Sequence, residues 1–220
     1  MEKYDLALSD YNTAIYLDQD NPSRIKDRAD FYIKTKKYNL ALQDYTKYIE
    51  FDPKNKFGYM YRSEAYYYLG DLDLELQDYN TAIDLDNEYD YSYSGRAAYY
   101  FRNGNMQKAL EDYNTDIKIN NSDAYSYKKR GGYFLKIKKY NKALIDVNQA
   151  IELDSSCSSC FEVRSKIYQA LGDTLKAMND INKIISWYPE YQDYYYTRAY
   201  HYRKMKQYDK LFLKSSSSVS

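Results

Sequence analysis

Apolar residues recur along this chain at a fixed step of 34 residues, with polar residues between them. Two series lie seven residues apart, which keeps them on one face of an α-helix: Leu8, Leu42, Leu76, Leu110, Leu144, Met178 and Ile15, Ile49, Ile83, Ile117, Ile151, Ile185. Another two, rich in tyrosine, are also seven apart: Ile25, Tyr59, Tyr93, Tyr127, Phe161, Tyr195 and Tyr32, Tyr66, Tyr100, Phe134, Tyr168, Tyr202. Each row of 34 residues therefore predicts two amphipathic helices.

The positions between the apolar series predict where the helices end and where they touch. We expect helices near 3–18, 23–35, 38–51, 57–69, 72–85, 91–103, 106–119, 124–137, 140–153, 158–171, 174–187 and 192–205, with no strand. Glycine or lysine stands at the predicted end of each first helix, as a left-handed cap or the helix dipole favours: Gly70, Gly104, Gly172, Lys36, Lys138, Lys206. Small residues stand where two helices must touch, and Ala29, Ala97 and Gly131 are expected to be almost fully buried.

The length of the row and its small-residue positions resemble the tetratricopeptide repeat (TPR), whose pattern is W-x2-L-G-x2-Y, then A-x3-F, then P. Residues 59–66 match the first part, residues 41–45 the second, and Pro53 the third. Tyrosine replaces the tryptophan and arginine replaces the leucine, while proline occurs at that last position only in Pro53 and Pro189. The resemblance implies an all-α fold, a right-handed α-solenoid of antiparallel helix pairs whose first helices line an inner groove.

The rows divide the chain into a predicted solenoid over residues 1–214 and a disordered serine-rich tail over 215–220. The solenoid consists of a half repeat, 1–21, five full repeats, 22–55, 56–89, 90–123, 124–157 and 158–191, and a partial repeat, 192–214. The first helix of the chain, near 3–18, has no helix before it. Either the chain is part of a longer one, or a partner, including a second copy, covers that face.

Charged residues keep the same register, with one arginine and one aspartate in every row: Arg28, Arg62, Arg96, Arg130, Arg164, Arg198 and Asp10, Asp44, Asp78, Asp112, Asp146, Asp180. Charges in register are more often ion pairs than ligand sites. Pairing between rows, Asp44 with Arg62 and so on, uses every charge, whereas pairing within rows leaves Asp10 and Arg198 over. We therefore expect the between-row pairs.

The composition argues against several classes of function. Lysine plus arginine equals aspartate plus glutamate, 32 each, so no basic surface predicts binding to nucleic acid or to an anionic membrane. The chain begins Met-Glu-Lys-Tyr-Asp and has no run near the roughly 20 apolar residues of a membrane helix, so a cytoplasmic location is expected.

No motif of a catalytic, cofactor or metal site stands out, so the chain is not expected to be an enzyme. Carboxylates are frequent because the helices are charged, and none forms a distinctive acid–base couple. Cys157 and Cys160 form a lone CxxC at a predicted helix start. Such a pair can have redox activity, but the alternative is an inert loop between repeats. A structural zinc site needs four ligands, and the single His201 lies some forty residues away.

The predicted inner side of the first helices carries exposed aromatic residues and, further along, lysines. We expect a partner protein or peptide to bind at this set of residues: Phe57, Met60, Tyr61, Tyr67, Tyr68, Tyr91, Phe101, Tyr125, Lys128 and Lys129. An aromatic stripe beside basic residues suits an acidic and hydrophobic peptide. The alternative is that the stripe only reflects a chain with 32 tyrosines.

One known ligand of the family is predicted not to bind. TPR co-chaperones hold the C-terminal carboxylate of heat-shock chaperones with lysine, asparagine and arginine on three first helices. The matching positions here are Lys26, Asp30, Tyr61, Tyr91 and Gly95 or, one row later, Met60, Glu64, Gly95, Tyr125 and Lys129. Neither set forms a carboxylate clamp.

These observations predict a non-catalytic scaffold that binds a protein or peptide in its groove. The alternative is a recognition or regulatory arm of a larger enzyme or sensor protein, which the resemblance implies because some glycosyltransferases and sensors carry such arrays. The half repeat at Met1 slightly favours the alternative.

Overall fold

The computed structural model describes the backbone of residues 2–216 and the side chains of residues 3–205, and every element in that part of the chain is a helix. The helices are α1 Glu2–Leu17, α2 Pro22–Lys34, α3 Tyr38–Phe51, α4 Lys56–Leu69, α5 Leu72–Leu85, α6 Asp90–Arg102, α7 Met106–Ile119, α8 Ala124–Lys136, α9 Tyr140–Leu153, α10 Ser158–Leu171, α11 Thr174–Trp187 and α12 Gln192–Ser216. The predicted all-α solenoid of helix pairs is confirmed.

The predicted helix bounds agree with the structure to within one residue, except at the end of α12. That helix was expected to stop near residue 205, but it continues to Ser216. The left-handed turn at Lys36 and at Lys138 is followed by a packed helix of 14 residues, whereas the predicted segment after Lys206 has only seven. Continuing the hydrogen bonds of α12 then costs less than a turn. Residues 217–220 of the predicted serine tail lie outside the described part.

The chain divides into two compact units, Met1–Ile119 with α1 to α7 and Asn120–Ser220 with α8 to α12. Within each unit, helices that follow one another in sequence pack against one another, α2 on α3, α3 on α4 and so on. This arrangement is typical of a solenoid, in which each helix pair touches only its neighbours. The predicted limits of the individual repeats stay a prediction.

Small residues bring the helices of each pair close together. Alanine is fully buried, at 0% exposure, throughout both units: Ala29, Ala41, Ala65, Ala82, Ala97, Ala109, Ala143, Ala150 and Ala177. Gly131 is also buried, so the three burial predictions are correct. Ala199 on α12 holds the same place in its row but is exposed. No helix follows α12 within residues 2–216, so nothing packs on that side.

The arginine and aspartate series form ion pairs inside each helix pair. In five rows the arginine Nε and Nη2 atoms donate to the two carboxylate oxygens at 2.7–2.9 Å: Arg28 with Asp44, Arg62 with Asp78, Arg96 with Asp112, Arg130 with Asp146 and Arg164 with Asp180. The expected pairing between rows is therefore wrong, although the charges do pair.

The physical reason is a shift of two residues. The between-row partner of Arg28 would have been Asp10, but the Arg28 Nη1 atom donates instead to Asn12 Oδ1 at 2.8 Å. Two residues along an α-helix rotate a side chain by about 200°, so the aspartate faces its own row and the asparagine faces the next. The same contact to the preceding row occurs at Arg96–Asn80, Arg164–Asn148 and Arg198–Asn182, at 2.8–2.9 Å.

One buried carboxylate interrupts the alanine positions of the second helices. Glu75 occupies the place that Ala41 and Ala109 hold in neighbouring rows, and it is 0% exposed. Both of its carboxylate oxygens accept from Arg102 Nη2, at 2.6 and 2.8 Å. Burial raises the pKa of Glu75, and the arginine opposes that rise without cancelling it. The ion pair therefore stabilises a charge that the fold would otherwise exclude.

Candidate functional site

The predicted groove residues fall into both units of the structure. Seven belong to the first unit: Phe57, Met60, Tyr61, Tyr67, Tyr68, Tyr91 and Phe101. Three belong to the second: Tyr125, Lys128 and Lys129. We therefore describe two separate candidate surfaces.

The N-terminal half of α4 carries the first aromatic cluster. The Phe57 ring stacks on Tyr61 at 6.4 Å between centroids and meets the edge of Tyr89 at 5.2 Å. Tyr89 in turn stacks on Tyr91 at 5.7 Å. Phe57 and Tyr91 remain 37% and 43% exposed, so the cluster presents ring surface to solvent. We call Phe57, Tyr61, Tyr89 and Tyr91 the α4–α6 aromatic cluster.

Cations lie directly on this cluster, which the sequence had not indicated. The Lys56 ammonium group is 4.3 Å from the Tyr89 ring centroid and 5.0 Å from that of Phe57. Lys26 of α2 lies 5.0 Å from the Tyr61 centroid. Each lysine also has an acidic partner, Asp86 for Lys56 and Asp30 for Lys26. The aromatic surface is therefore mixed in charge and not purely apolar.

The C-terminal half of α4 carries a second pair of tyrosines, but they point in different directions. Tyr68 stacks on Tyr38 of α3, with centroids 4.6 Å apart and planes only 6° apart. Tyr67 instead faces α6, where the Arg102 guanidinium is 4.3 Å from its ring centroid. Neighbouring residues on a helix are rotated by about 100° from one another, so one flat surface cannot hold both rings.

Tyr61 and Tyr68 line a pocket of about 590 Å³ between α2 and α4, with α3 beneath it. Two carboxylates also line it, Asp30 and Glu64, together with the lysines Lys34 and Lys36. We call this cavity the α2–α4 pocket. Its walls combine aromatic surface with charges of both signs, as protein-binding sites commonly do.

Hydrogen bonds fix the floor of the α2–α4 pocket. The Tyr45 hydroxyl donates to Asp30 Oδ1 at 2.7 Å, and Lys26 Nζ donates to Asp30 Oδ2 at 2.6 Å. Burial and the acceptor Asp30 raise the pKa of Tyr45, which keeps this phenol a donor. Desolvation and the nearby charge of Asp30 raise the pKa of Glu64. The floor is therefore held in place before any partner binds.

The remaining predicted groove residues of the first unit are half-buried. Met60 packs toward α6, where its sulfur atom accepts from the Ser92 hydroxyl at 3.4 Å. Phe101 lies near the end of α6. These two side chains form the edge of the helix packing more than an open surface.

In the second unit, Tyr125 is covered by two ammonium groups. Lys128 Nζ is 4.6 Å and Lys129 Nζ is 4.8 Å from the Tyr125 ring centroid. Lys128 also donates to the Ser159 hydroxyl oxygen at 3.1 Å. Partial burial, followed by repulsion from Lys129, lowers the pKa of Lys128. The structure thus brings the three predicted residues of this unit together as a small cationic surface.

Sequence reasoning missed a second pocket in this unit. A cavity of about 540 Å³ lies between α10 and α12, lined by four tyrosines: Tyr191, Tyr194, Tyr196 and Tyr200. Its polar rim includes Lys166, which is bound to Glu162 at 2.6 Å. The signal was the tyrosine-rich start of α12, where the Tyr196 side chain is 81% exposed. Tyrosine is so frequent in this chain that this start did not stand out.

Residues outside these pockets bear on the other predicted features. Cys157 and Cys160 are joined by a disulfide bond at the start of α10. Over residues 3–205, no group of three or more histidine, cysteine, aspartate or glutamate side chains could hold a metal ion. In the same part of the chain, no helix combines the length and the apolar character needed to cross a membrane.

Comparison with known proteins agrees with the resemblance seen in the sequence. The tetratricopeptide repeat family model matches residues 27–55 and 160–191. No curated protein sequence matches the chain. The matched segments contain the small residues and the paired helices described above, so the predicted resemblance to the TPR is confirmed.

Several solved structures share the fold at low identity. The match to yeast Tom70 covers 96% of this chain and 46% of that one, with TM-score 0.81 and 16% identity. The chain resembles TTC0263, a thermophilic TPR protein from Thermus thermophilus, with TM-score 0.70 and 16% identity over 82% of this chain and 98% of that one. It also resembles YrrB, described as a TPR protein with an unusual peptide-binding site, with TM-score 0.56 and 15% identity over 86% and 97%. These likenesses show the fold, and TPR folds are known scaffolds for protein–protein interaction.

Proposed function

We propose that this chain is a non-catalytic scaffold that binds an extended segment of a partner protein at the α2–α4 pocket and the α4–α6 aromatic cluster. The observation that carries the proposal is the exposure of Tyr68 and Tyr91, 45% and 43%, on both sides of Tyr61. Exposed rings held by neighbouring rings lose little conformational entropy on binding, so they suit the central contacts of an interface.

The charges around these rings suggest the kind of segment that binds. Lys34 and Lys36 can pair with acidic side chains of the partner, and Glu64 can pair with a basic one. The tyrosine rings between them accept apolar side chains. The segment would therefore be amphipathic and mixed in charge, whereas the cationic surface of Tyr125, Lys128 and Lys129 in the second unit would take an acidic residue.

A binding measurement on exposed tyrosines tests this site. The immobilised chain captures partners from a lysate, mass spectrometry identifies them, and surface plasmon resonance measures each purified partner against variants. The double variant Tyr68→Ala, Tyr91→Ala should weaken binding by about tenfold to a hundredfold, or roughly 1.4–2.8 kcal/mol. The control is Tyr16→Ala on α1, a tyrosine that is 74% exposed but lies outside both surfaces.

Two further results decide the interpretation. Circular dichroism must give the same helicity for the double variant, the control and the original chain. Reversing both charges, with Lys128→Glu and Lys129→Glu, should mainly slow association at low salt, because exposed charges steer encounter. Unweakened binding by a folded double tyrosine variant would move the site away from the first unit.

The cytoplasmic location stays part of the proposal, as does the exclusion of nucleic acid, membrane and heat-shock chaperone C-terminal peptides as partners. Lys26, which would begin a carboxylate clamp, is bound to Asp30. A fluorescent peptide with the acidic C-terminus of such a chaperone should therefore show no saturable change in anisotropy when the chain is added.

A further inference from the structure

The cysteine pair lies at the first turn of α10, in the second unit. Cys157 is the N-cap residue of that helix, and its sulfur atom accepts a hydrogen bond from the backbone N–H of Cys160 at 3.2 Å. Ser159 lies between the two in sequence, with its hydroxyl oxygen 3.5 Å from the Cys157 sulfur. The scaffold function described above makes no use of this bond.

The two sulfur atoms of the bond differ in access. Cys160 is 0% exposed, because it turns into the helix packing beside Phe161. Cys157 is half-buried, at the junction of the loop and the helix. Thiol–disulfide exchange requires an incoming thiolate to reach a sulfur atom. Only Cys157 offers such an approach in the folded chain.

Stabilisation of the fold is a poor explanation for the bond. A disulfide restricts the unfolded chain in proportion to the logarithm of the loop that it closes. This one joins residues with a sequence separation of 3, so the loop is among the shortest that a disulfide can close. The surrounding helices are also joined by the Arg164–Asp180 ion pair and the buried α10–α11 contacts.

We propose that Cys157 and Cys160 form a reversible dithiol–disulfide exchange site, in which Cys157 is the sulfur that exchanges and Cys160 is the buried resolving thiol. The exchange partner is a small thiol of the glutathione class. The site is independent of the proposed partner binding, because exchange needs no bound protein.

The reduction proceeds in two balanced steps. A glutathione thiolate attacks the Cys157 sulfur, which forms a mixed disulfide, breaks the Cys157–Cys160 bond and releases the Cys160 thiolate, which takes a proton from solvent. A second glutathione thiolate attacks the glutathione sulfur of the mixed disulfide and releases the Cys157 thiolate. Two thiols have then become one glutathione disulfide, and the protein has gained two electrons and two protons. The reverse sequence restores the bond.

The surroundings of Cys157 favour its thiolate form. The N–H groups at the start of a helix stabilise a negative charge there, and Cys160 N–H already points at the sulfur. Lys128 approaches the same loop through Ser159. The nearby carboxylate Asp154 accepts hydrogen bonds from the Ser156 N–H and hydroxyl at 2.9 and 2.7 Å, which occupies its charge.

Two single variants test which sulfur exchanges. Cys160→Ser leaves only Cys157, and Cys157→Ser leaves only Cys160. Each folded variant is incubated with oxidised glutathione, and mass spectrometry follows the addition of one glutathione. We expect addition to Cys160→Ser to be about tenfold faster or more, because its remaining thiol is accessible. In urea the two rates should become equal, since burial causes the difference. Equal rates in the folded variants would overturn the assignment.

The original chain provides a test without substitution. It is equilibrated with mixtures of reduced and oxidised glutathione, quenched with acid, alkylated and weighed. The expected result is a two-thiol transition that follows the glutathione ratio while circular dichroism stays unchanged. A bond that excess reduced glutathione opens only after the chain unfolds would refute the proposal. A pair that stays reduced in oxidised glutathione would refute it equally.

Discussion

Two adjacent glycines of α8, Gly131 and Gly132, have different surroundings. A Cβ atom built on Gly131 would lie 2.6 Å from Val147 Cγ2 and 3.3 Å from the carbonyl oxygen of Ala143. A Cβ atom on Gly132 would meet nothing within 4 Å. Val147 is itself 0% exposed, so it has little room to move away. The close approach of α8 and α9 therefore requires glycine only at the first of the two positions.

Substituting these glycines by alanine should have opposite effects on stability. Gly131→Ala should lower the free energy of unfolding by about 1–3 kcal/mol through overpacking. Gly132→Ala should raise it by up to about 1 kcal/mol, because alanine favours the helix. Urea unfolding followed by circular dichroism measures both. If the two variants were equally stable, α8 and α9 would not make the contact described.

The Glu75–Arg102 pair allows a test that depends on pH. Arg102→Ala leaves a buried carboxylate without its cation, which should cost about 1–3 kcal/mol at neutral pH, since the arginine is partly exposed. Glu75→Ala restores the alanine of the neighbouring rows and should cost less. Thermal unfolding at several pH values compares the variants.

The sign of the pH effect follows from the pKa of Glu75, which burial raises. Removal of Arg102 takes away the group that lowers it, so the pKa rises further. The penalty is then complete at pH values above the folded-state pKa and disappears as the pH falls through it, because the carboxyl takes up a proton. The gap in melting temperature between Arg102→Ala and the original chain should narrow toward pH 5. A gap that widens there would contradict the account.

At the scale of the element, the turns after the first helices use one backbone geometry with two kinds of residue. Gly70, Gly104 and Gly172 have φ angles of 83°, 78° and 82°. Lys36 and Lys138 adopt the same left-handed region, with φ of 59°. A side chain makes that region costly for lysine and not for glycine. The fold keeps the turn in all five rows because the following helix must pack back.

Replacing one of these lysines by glycine should therefore stabilise the chain. Lys138→Gly should raise the free energy of unfolding by about 0.5–1 kcal/mol. Lys136→Gly, two residues earlier at the end of α8, should lower it by a similar amount, because glycine is a poor helix former. Urea unfolding of the two variants gives the comparison, and a loss of stability in Lys138→Gly would mean that its side chain makes a contact that outweighs the strain.

The same turns explain why the sequence predicted the helices so well and the contacts less well. Glycine and lysine at a step of 34 residues fix the helix ends, whatever the packing. The ion pairs needed the rotation of each second helix, and a choice between partners 16 and 18 residues apart reverses the face. Glu75 looked like a break in the alanine series, and only the structure shows Arg102 reaching it.

The candidate site was predictable in kind and not in detail. The sequence could identify a tyrosine-rich side on α4, but it could not separate buried Tyr45, at 1% exposure, from Tyr68 at 45%. Tyrosine serves both places because it has an apolar ring and a polar tip. Tyr67 and Tyr68 are adjacent in sequence yet face different helices, which requires coordinates to see.

At the scale of the whole molecule, stability is a sum over neighbouring helices within each unit. The position two residues after the isoleucine series shows the effect of a missing neighbour. Its side chain is 36–41% exposed in α3, α5, α9 and α11, but Leu17 of α1 is 76% exposed. Ala7 is partly exposed, whereas Ala41 in the same series is fully buried. Helix α1 packs on α2 alone among the contacts of the first unit.

Hydrogen exchange should therefore reveal a gradient of stability that begins at α1. Backbone amides of α1 should exchange about tenfold faster or more than those of α3, which has helices on both sides, because fewer buried contacts oppose local opening. Deuterium uptake by mass spectrometry measures both helices in one sample, with α5 as an internal reference. The measurement is repeated at a low and a high protein concentration. Self-association through the exposed face of α1, which the sequence left open, would slow exchange in α1 at high concentration and leave α3 unchanged. Equal protection of α1 and α3 at both concentrations would contradict a stability that depends on the number of neighbouring helices.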